Sequence, residues 1–228
     1  MGLSERLDNV KERIANAAKA SGRTAEDITL IAVTKTYPIE VMNEAISLGV
    51  TDIGENKPQE VRDKFDYVHP VRWHLIGHLQ TNKVKYVIDR CCMIHSVDSI
   101  KLMQEIERLA SAHNRHIDIL IQVNISGEES KSGISPDELP SLLKYAENLE
   151  YTHIKGLMAI APKTEFGGVE VHFKNMKALF DKTAENNYKN VSMTELSMGM
   201  SSDFETAIKC GATMVRIGSL IFGPRNYN

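Results

Sequence analysis

Residues 29–54 read TLIAVTKTYPIEVMNEAISLGVTDIG, and this stretch decides the fold. Residues 29–34 form a short apolar run rich in β-branched side chains, bounded by a lysine and a turn, which predicts a buried strand. Residues 39–48 then carry apolar side chains at helical spacing and stop at Gly49. A second β-rich run opens at Asp52. Strand, helix and strand within 26 residues leave room for a crossover and none for a hairpin, so the two strands are expected to be parallel.

The same grammar repeats outward from this unit. Strand candidates lie at 29–34, 52–54, 73–76, 93–96, 117–123, 153–158, 195–198 and 214–217. Amphipathic segments lie between them, among them 100–112 and 136–149, the latter with Ser135 before a first-turn proline. Phe173, Met176, Leu179 and Phe180 form one face of a further helix. Ahead of the first strand, Leu3, Leu7, Val10, Ile14, Ala17 and Ala18 share a face of a helix over 3–20, stopped by Gly22. Eight such units predict a (β/α)8 TIM barrel with an extra N-terminal helix, a single α/β domain spanning 1–228. A doubly wound sheet is the alternative, but no Gly-x-Gly-x-x-Gly follows any strand. Connections 124–135 and 159–168 are long and polar and are expected to be mobile.

Composition narrows the function. The 228 residues carry 27 basic and 30 acidic side chains, a formal net charge of −3, without the basic surplus that phosphate-backbone contacts need. Nucleic acid is therefore not an expected partner. The longest apolar run has five residues, 157–161, too short for a bilayer. Glu5, Asp8 and Glu12 break any basic leader, and Arg6 stands where a myristoylation signal needs Ser or Thr. Cys91, Cys92 and Cys210 have no pairing pattern and suit a reducing, cytoplasmic compartment. Cys91 and Cys92, at the base of the fourth strand, read as packing.

In a barrel, chemistry sits at the C-terminal strand ends. Those ends carry Lys35, Asn56, His74 with His78, Ser96, Asn124, Met158, the run 199–202 and Arg216. Lys35 follows an apolar strand, and desolvation there favours a neutral amine able to attack a carbonyl. The alternative is a lysine paired with a strand-end carboxylate such as Glu55. After the seventh strand, Gly199-Met200-Ser201-Ser202-Asp203 precedes a helical stretch, and after the eighth comes Arg216-Ile217-Gly218-Ser219. Loops at these two positions suit a phosphate, although either serine would also serve as a helix cap. His74 and His78 have the spacing of a helical metal pair but fall on a strand with no acidic ligand, so core or loop histidines are expected and no metal.

These pieces together resemble the alanine-racemase-like pyridoxal phosphate barrels, and most closely the pyridoxal phosphate homeostasis protein family. The motifs are Ala32-Val33-Thr34-Lys35-Thr36, Gly54-Glu55-Asn56, the run Trp73-His74-Leu75-Ile76-Gly77-His78-Leu79-Gln80-Thr81-Asn82-Lys83, Ser130-Lys131-Ser132-Gly133, Gly156-Leu157-Met158, Leu196-Ser197-Met198-Gly199-Met200-Ser201 and Arg216-Ile217-Gly218. The resemblance implies that Lys35 holds pyridoxal 5′-phosphate as a Schiff base and that Arg216 faces the pyridine nitrogen. It places Ser201, Gly218 and Ser219 on the phosphate and Asn56 beside the ring. One departure is Tyr37, where the family often has a second lysine.

A cationic arginine at the pyridine nitrogen makes the ring a poorer electron sink. The similar racemases add a β-rich domain that supplies a tyrosine, whereas this sequence ends ten residues after Gly218. The expectation is a monomeric carrier or buffer of the cofactor without classical turnover, passing it to apo forms of pyridoxal-phosphate enzymes. A small racemase and a Schiff-base aldolase without cofactor are the alternatives. Lys131, in the loop 126–135, is expected to sit on a lid lacking apolar anchors and to take over the aldehyde from Lys35, or else only to balance Glu128 and Glu129.

Overall fold

The computed structural model describes residues 2–128, 131–162 and 168–224. Eight parallel strands close into a barrel in sequence order: β1 (Thr29–Val33), β2 (Asp52–Glu55), β3 (Arg72–Leu75), β4 (Met93–Val97), β5 (Ile117–Gln122), β6 (Thr152–Met158), β7 (Val191–Met200) and β8 (Met214–Ile217). β8 pairs back onto β1, Arg216 opposite Ile31, so no strand edge is left open. Each predicted strand is present. β7 is the one that differs most, beginning four residues earlier than the apolar signal because its first turn of the ladder, Val191 to Thr194, is only partly covered.

The helices are α1 (Leu3–Ala20), α2 (Ile39–Ser47), α3 (Pro58–Lys64), α4 (Ile100–Ala112), α5 (Leu139–Ala146), α6 (Gly168–Ala184), α7 (Phe204–Lys209) and α8 (Ser219–Phe222). α1 buries the six residues that its periodicity singled out. Its outer side is fastened to the barrel by Arg13, which grips Glu205 of α7 through two hydrogen bonds of 2.8 and 3.0 Å, and by Arg6, which donates to the Ile221 carbonyl of α8. Two helical expectations need correction. The segment 136–149 is a 3-10 turn, Pro136–Glu138, followed by the shorter α5, because Pro140 interrupts the amide ladder. Between β3 and β4 the crossover is a 3-10 helix, Thr81–Tyr86, in which Val84 is the only buried residue.

The core is divided. A large apolar cluster fills the space between sheet and helices, and a small one, Ile31, Met93, Leu120, Met158 and Met214, lies inside the barrel. The rest of the interior is polar: Asp52, His74, His95, Gln122, Ser197 and Arg216 are all buried. Interior-facing positions alternate along each strand, so this polar set shares its face with the residues of the mouth above it. Among the described residues no helix is long and apolar enough to cross a membrane.

Candidate functional site

Lys35 leaves β1 on a turn whose conformation is unusual for its sequence. Thr36 has φ of 70°, a left-handed backbone that a β-branched residue rarely adopts. Three contacts hold the strain: the Tyr37 amide donates to the Thr34 carbonyl at 3.0 Å, the Thr36 amide donates to Glu60 at 3.0 Å, and the Tyr37 hydroxyl donates to the Gly223 carbonyl at 2.9 Å. The Tyr37 ring also packs on Phe222, centroids 4.8 Å apart. The residue that departs from the family pattern therefore ties the lysine turn to the end of α8.

Glu55 lies behind this turn and is fully buried. It accepts from the Thr34 hydroxyl at 2.8 Å and from Lys64 at 3.0 Å, while its second oxygen has no partner. Burial pushes its carboxyl up to about 7 against the opposing pull of Lys64. Glu55 is thus occupied by Lys64, which also binds Glu60 at 2.8 Å.

Across the mouth, β7 and β8 supply the remaining groups. Gly199 has φ of 94°, and a Cβ there would lie 2.6 Å from the Ala207 side chain, so the strand passes flush against α7. The Met200 amide donates to Asp203, which fixes the Ser201–Ser202 loop. The Gly218 amide donates to Ser201 Oγ at 3.3 Å, joining the two loops. Asn56 is held by the approach of Gly77, where a Cβ would stand 2.3 Å from the Asn56 carbonyl oxygen.

These elements enclose one cavity of about 560 Å³ at the C-terminal end of the barrel. Its walls include Lys35, Asn56, Ser201, Ser202, Arg216, Gly218 and Ser219, with Val33, Ile76, Ile160 and Met200 as the apolar lining. All six residues singled out as cofactor contacts in the sequence face this one space. Arg216 is 4% exposed and donates to Ser197 Oγ at 2.6 Å and to the Ala159 carbonyl at 2.9 Å. Burial pulls its guanidinium down to about 10, with Asp203 acting the other way, so it remains a cation at neutral pH. Among the described residues Arg216 has no ion-pair contact with a carboxylate; its hydrogen bonds go to a hydroxyl and a carbonyl, and Asp203 is the negative charge that acts on it.

The family-model comparison matches residues 6–226 to "Alanine racemase, N-terminal domain". Curated relatives, among them those of three organisms described next, carry the name "Pyridoxal phosphate homeostasis protein". That of Aquifex aeolicus is 42% identical over 230 residues, covering all of both chains. Those of Haemophilus influenzae and Escherichia coli K12 are 39% and 38% identical, covering at least 99% of this chain and 98% of theirs. The chain belongs to the pyridoxal phosphate homeostasis protein family. Within that family's fold, the structure of PipY from Synechococcus elongatus with PLP bound superposes with a TM-score of 0.81 at 30% identity, covering 97% of this chain and all of PipY. The PipY structure without PLP gives 0.86. A Clostridium difficile alanine racemase shares the barrel alone, at 17% identity and a TM-score of 0.76, with 57% of its length covered.

Other residues fall differently from their sequence reading. His74 and His78 are separated: His74 is inside the barrel against Asp52, and His78 is exposed, 3.6 Å from Asp98. Cys91 is buried as packing, but the Cys92 sulfur lies 3.5 Å from His74 Nε2 and so touches the polar interior. The loop carrying Lys131 does have an apolar anchor. Ile134 is buried and pairs with Val123, and Gln122 and Asn124 bond the backbone at Ser132, Glu128 and Lys131. Lys131 is not on the cavity wall. Glu129, Ser130 and residues 163–167 lie outside the described residues. Asp52, His95 and Ser197 were missed. Their signal was parity, because each is a polar residue at an inward position of a buried strand.

Proposed function

We propose that this protein binds pyridoxal 5′-phosphate through Lys35 and serves intracellular homeostasis of that cofactor, as a carrier or buffer without classical turnover. The observation that carries the reading is the convergence of Lys35, Asn56, Ser201, Arg216, Gly218 and Ser219 on one cavity. The volume, about 560 Å³, is in the range of cofactor sites. The residues fit the group: an amine on one wall, a buried cation without a carboxylate partner on the floor, and a hydroxyl beside a backbone amide between the β7 and β8 loops. The relatives' name and the PLP-bound PipY structure point the same way.

When bound, the cofactor supplies an aldehyde and an electron-withdrawing ring. The chain's own residues then divide the work. Lys35 provides the covalent attachment, and Ser201, Gly218 and Ser219 hold the phosphate. Arg216, cationic and fixed by Ser197 and Ala159, keeps a proton off the ring nitrogen and so holds the ring's electron-withdrawing power down. A site built this way retains the aldehyde and does little with an amino acid. Recipients would be apo forms of pyridoxal-phosphate enzymes, in the cytoplasm, with the donor a monomer.

The test is a reconstituted protein offered first to an apo-enzyme and then to amino acids. The expected result is transfer of cofactor with recovery of the recipient's activity, and no racemisation of amino acids. Turnover of an amino acid at about 1 s⁻¹ or faster would make the protein an enzyme and overturn the reading.

A further inference from the structure

The barrel interior contains an unbroken file of hydrogen-bonded side chains that ends at Arg216. Asp52 Oδ1 lies 2.8 Å from His74 Nε2, His74 Nδ1 lies 3.0 Å from His95 Nε2, and His95 Nδ1 lies 3.0 Å from Ser197 Oγ. Arg216 completes the file with its 2.6 Å bond to that same oxygen. All five residues are at most 4% exposed. At the far end, Asp52 is gripped by Arg72 and Thr51 and borders a second cavity of about 360 Å³ on the N-terminal side of the barrel. Nothing in the attachment or the phosphate cradle calls for two buried histidines here.

The direction of each bond follows from what the groups can do. A guanidinium only donates, so Ser197 Oγ accepts from Arg216. With both imidazoles neutral, one assignment satisfies every link. The Ser197 hydroxyl donates to His95 Nδ1, His95 Nε2–H donates to His74 Nδ1, and His74 Nε2–H donates to Asp52. One proton more, bound at His74 Nδ1, reverses the upper half. His74 now donates from both nitrogens, so His95 Nε2 must accept, and the His95 proton resides on Nδ1. That N–H donates to Ser197 Oγ, which then accepts twice and turns its own proton away from His95. The two states differ by a single proton exchanged with solvent; within the file the His95 N–H passes from Nε2 to Nδ1, the His95–His74 bond reverses its direction, and the Ser197 hydroxyl gives up the bond it donated to His95.

We propose that Asp52, His74, His95 and Ser197 form a proton-bearing file with these two registers, and that the register is read at Arg216 as a change in the oxygen to which it donates. His95 and Ser197 are accordingly positioning residues for Arg216. The wider consequence, that the register tunes the environment of the cofactor's ring nitrogen, rests on the reading given under the proposed function.

The surroundings agree about where the proton sits. His74 is faced by Asp52 from β2, Cys92 ahead of β4 and His95 from β4, and Arg72 of its own strand binds Asp52. Glu195 of β7 acts on Arg72, and Arg216 of β8 acts on His95. Burial opposes a charge on His74, but the hydrogen bonds to Asp52 and Cys92 and the charge of the Asp52 carboxylate outweigh it and push the imidazole up to about 9. Burial, together with the positive charges of His74 and Arg216, holds His95 well below the ordinary histidine range. One histidine takes the proton and the other only relays it. Near neutral pH the loaded register therefore prevails, and the file empties on the alkaline side.

The test uses the cofactor-free full chain labelled with ¹⁵N in histidine and arginine, titrated by NMR from pH 6 to 10. The expected result is that His95 carries its proton on Nδ1 while His74 is charged, and moves it to Nε2 with the midpoint of the His74 titration. The Arg216 guanidinium resonances should shift at that same midpoint, and His95→Phe should abolish the Arg216 step. If His95 keeps one tautomer while His74 titrates, or Arg216 does not respond, the proposal is wrong. The wild-type measurement decides the matter even if His95→Phe does not fold. Because no cofactor is present, failure here is separate from failure of Lys35 as the attachment point, which borohydride labelling reads.

Discussion

The Gly218 amide donates to Ser201 Oγ at 3.3 Å, a bond that spans the loops after β7 and β8 and draws them to one corner of the cavity. It leaves the serine's own proton to donate elsewhere, in the place where a (β/α)8 barrel commonly holds phosphate. The neighbouring Ser202 is exposed and donates to Asp203 at 3.4 Å. The two adjacent serines thus have different duties.

Ser201→Ala should weaken retention of pyridoxal phosphate about ten- to a hundredfold, as expected for loss of a hydrogen bond to a charged group worth about 1.5–3 kcal/mol. Ser202→Ala should change it little. Equilibrium titration of the two variants checks this, and equal affinities would remove Ser201 from the phosphate site.

Glu55→Gln should alter how stability depends on pH. The folded-state carboxyl is pushed up to about 7 from an ordinary value of 4.5, so the protonated form is the one that folding favours. Its contribution is complete below pH 4.5 and is lost as pH rises to about 7, a change of about 3 kcal/mol. The amide keeps an acceptor for Thr34 and Lys64 but does not titrate. Denaturant unfolding from pH 4.5 to 8 should show the variant gaining on the wild type as pH rises; parallel curves would mean that Glu55 ionises normally.

Gly77→Ala should disturb the site without touching any chemical group in it. The new Cβ would stand 2.3 Å from the Asn56 carbonyl oxygen and 2.6 Å from its Cα, and backbone cannot give way as a flexible side chain does. A loss of about 1–3 kcal/mol in stability is expected, with weaker cofactor retention because Asn56 leaves the wall. Unchanged melting and unchanged retention would show that the β2 and β3 loops are not in register through this contact.

Much of this was legible in the sequence, for identifiable reasons. Runs such as Leu30-Ile31-Ala32-Val33 announce a strand because both faces are buried, and the residue that ends such a run must sit at the rim. That is why Lys35 and Asn56 are legible as rim residues, whereas Arg216 lies inside β8, one residue short of its end. Ser201 and Gly218 were legible from their position after the last two strands. The interior file was not, since His74 and Asp52 are 22 residues apart and His95 and Ser197 are 102 apart, and no local spacing connects them. Only barrel closure brings β2, β3, β4, β7 and β8 around one axis. The anchoring of the Lys131 loop is not legible, because its one apolar residue, Ile134, stands alone in a polar stretch, whereas in the structure it enters the core and pins the segment.

The central claim is that Lys35 is the residue to which the cofactor is attached. The direct measurement is borohydride reduction of the pyridoxal-phosphate-loaded protein, followed by proteolysis and mass identification of the modified peptide. The account predicts one pyridoxyl label, on Lys35, and loss of both the label and the absorbance near the visible edge in Lys35→Ala. A label chiefly on Lys131 or Lys83, or a Lys35→Ala protein that keeps the band, would contradict it.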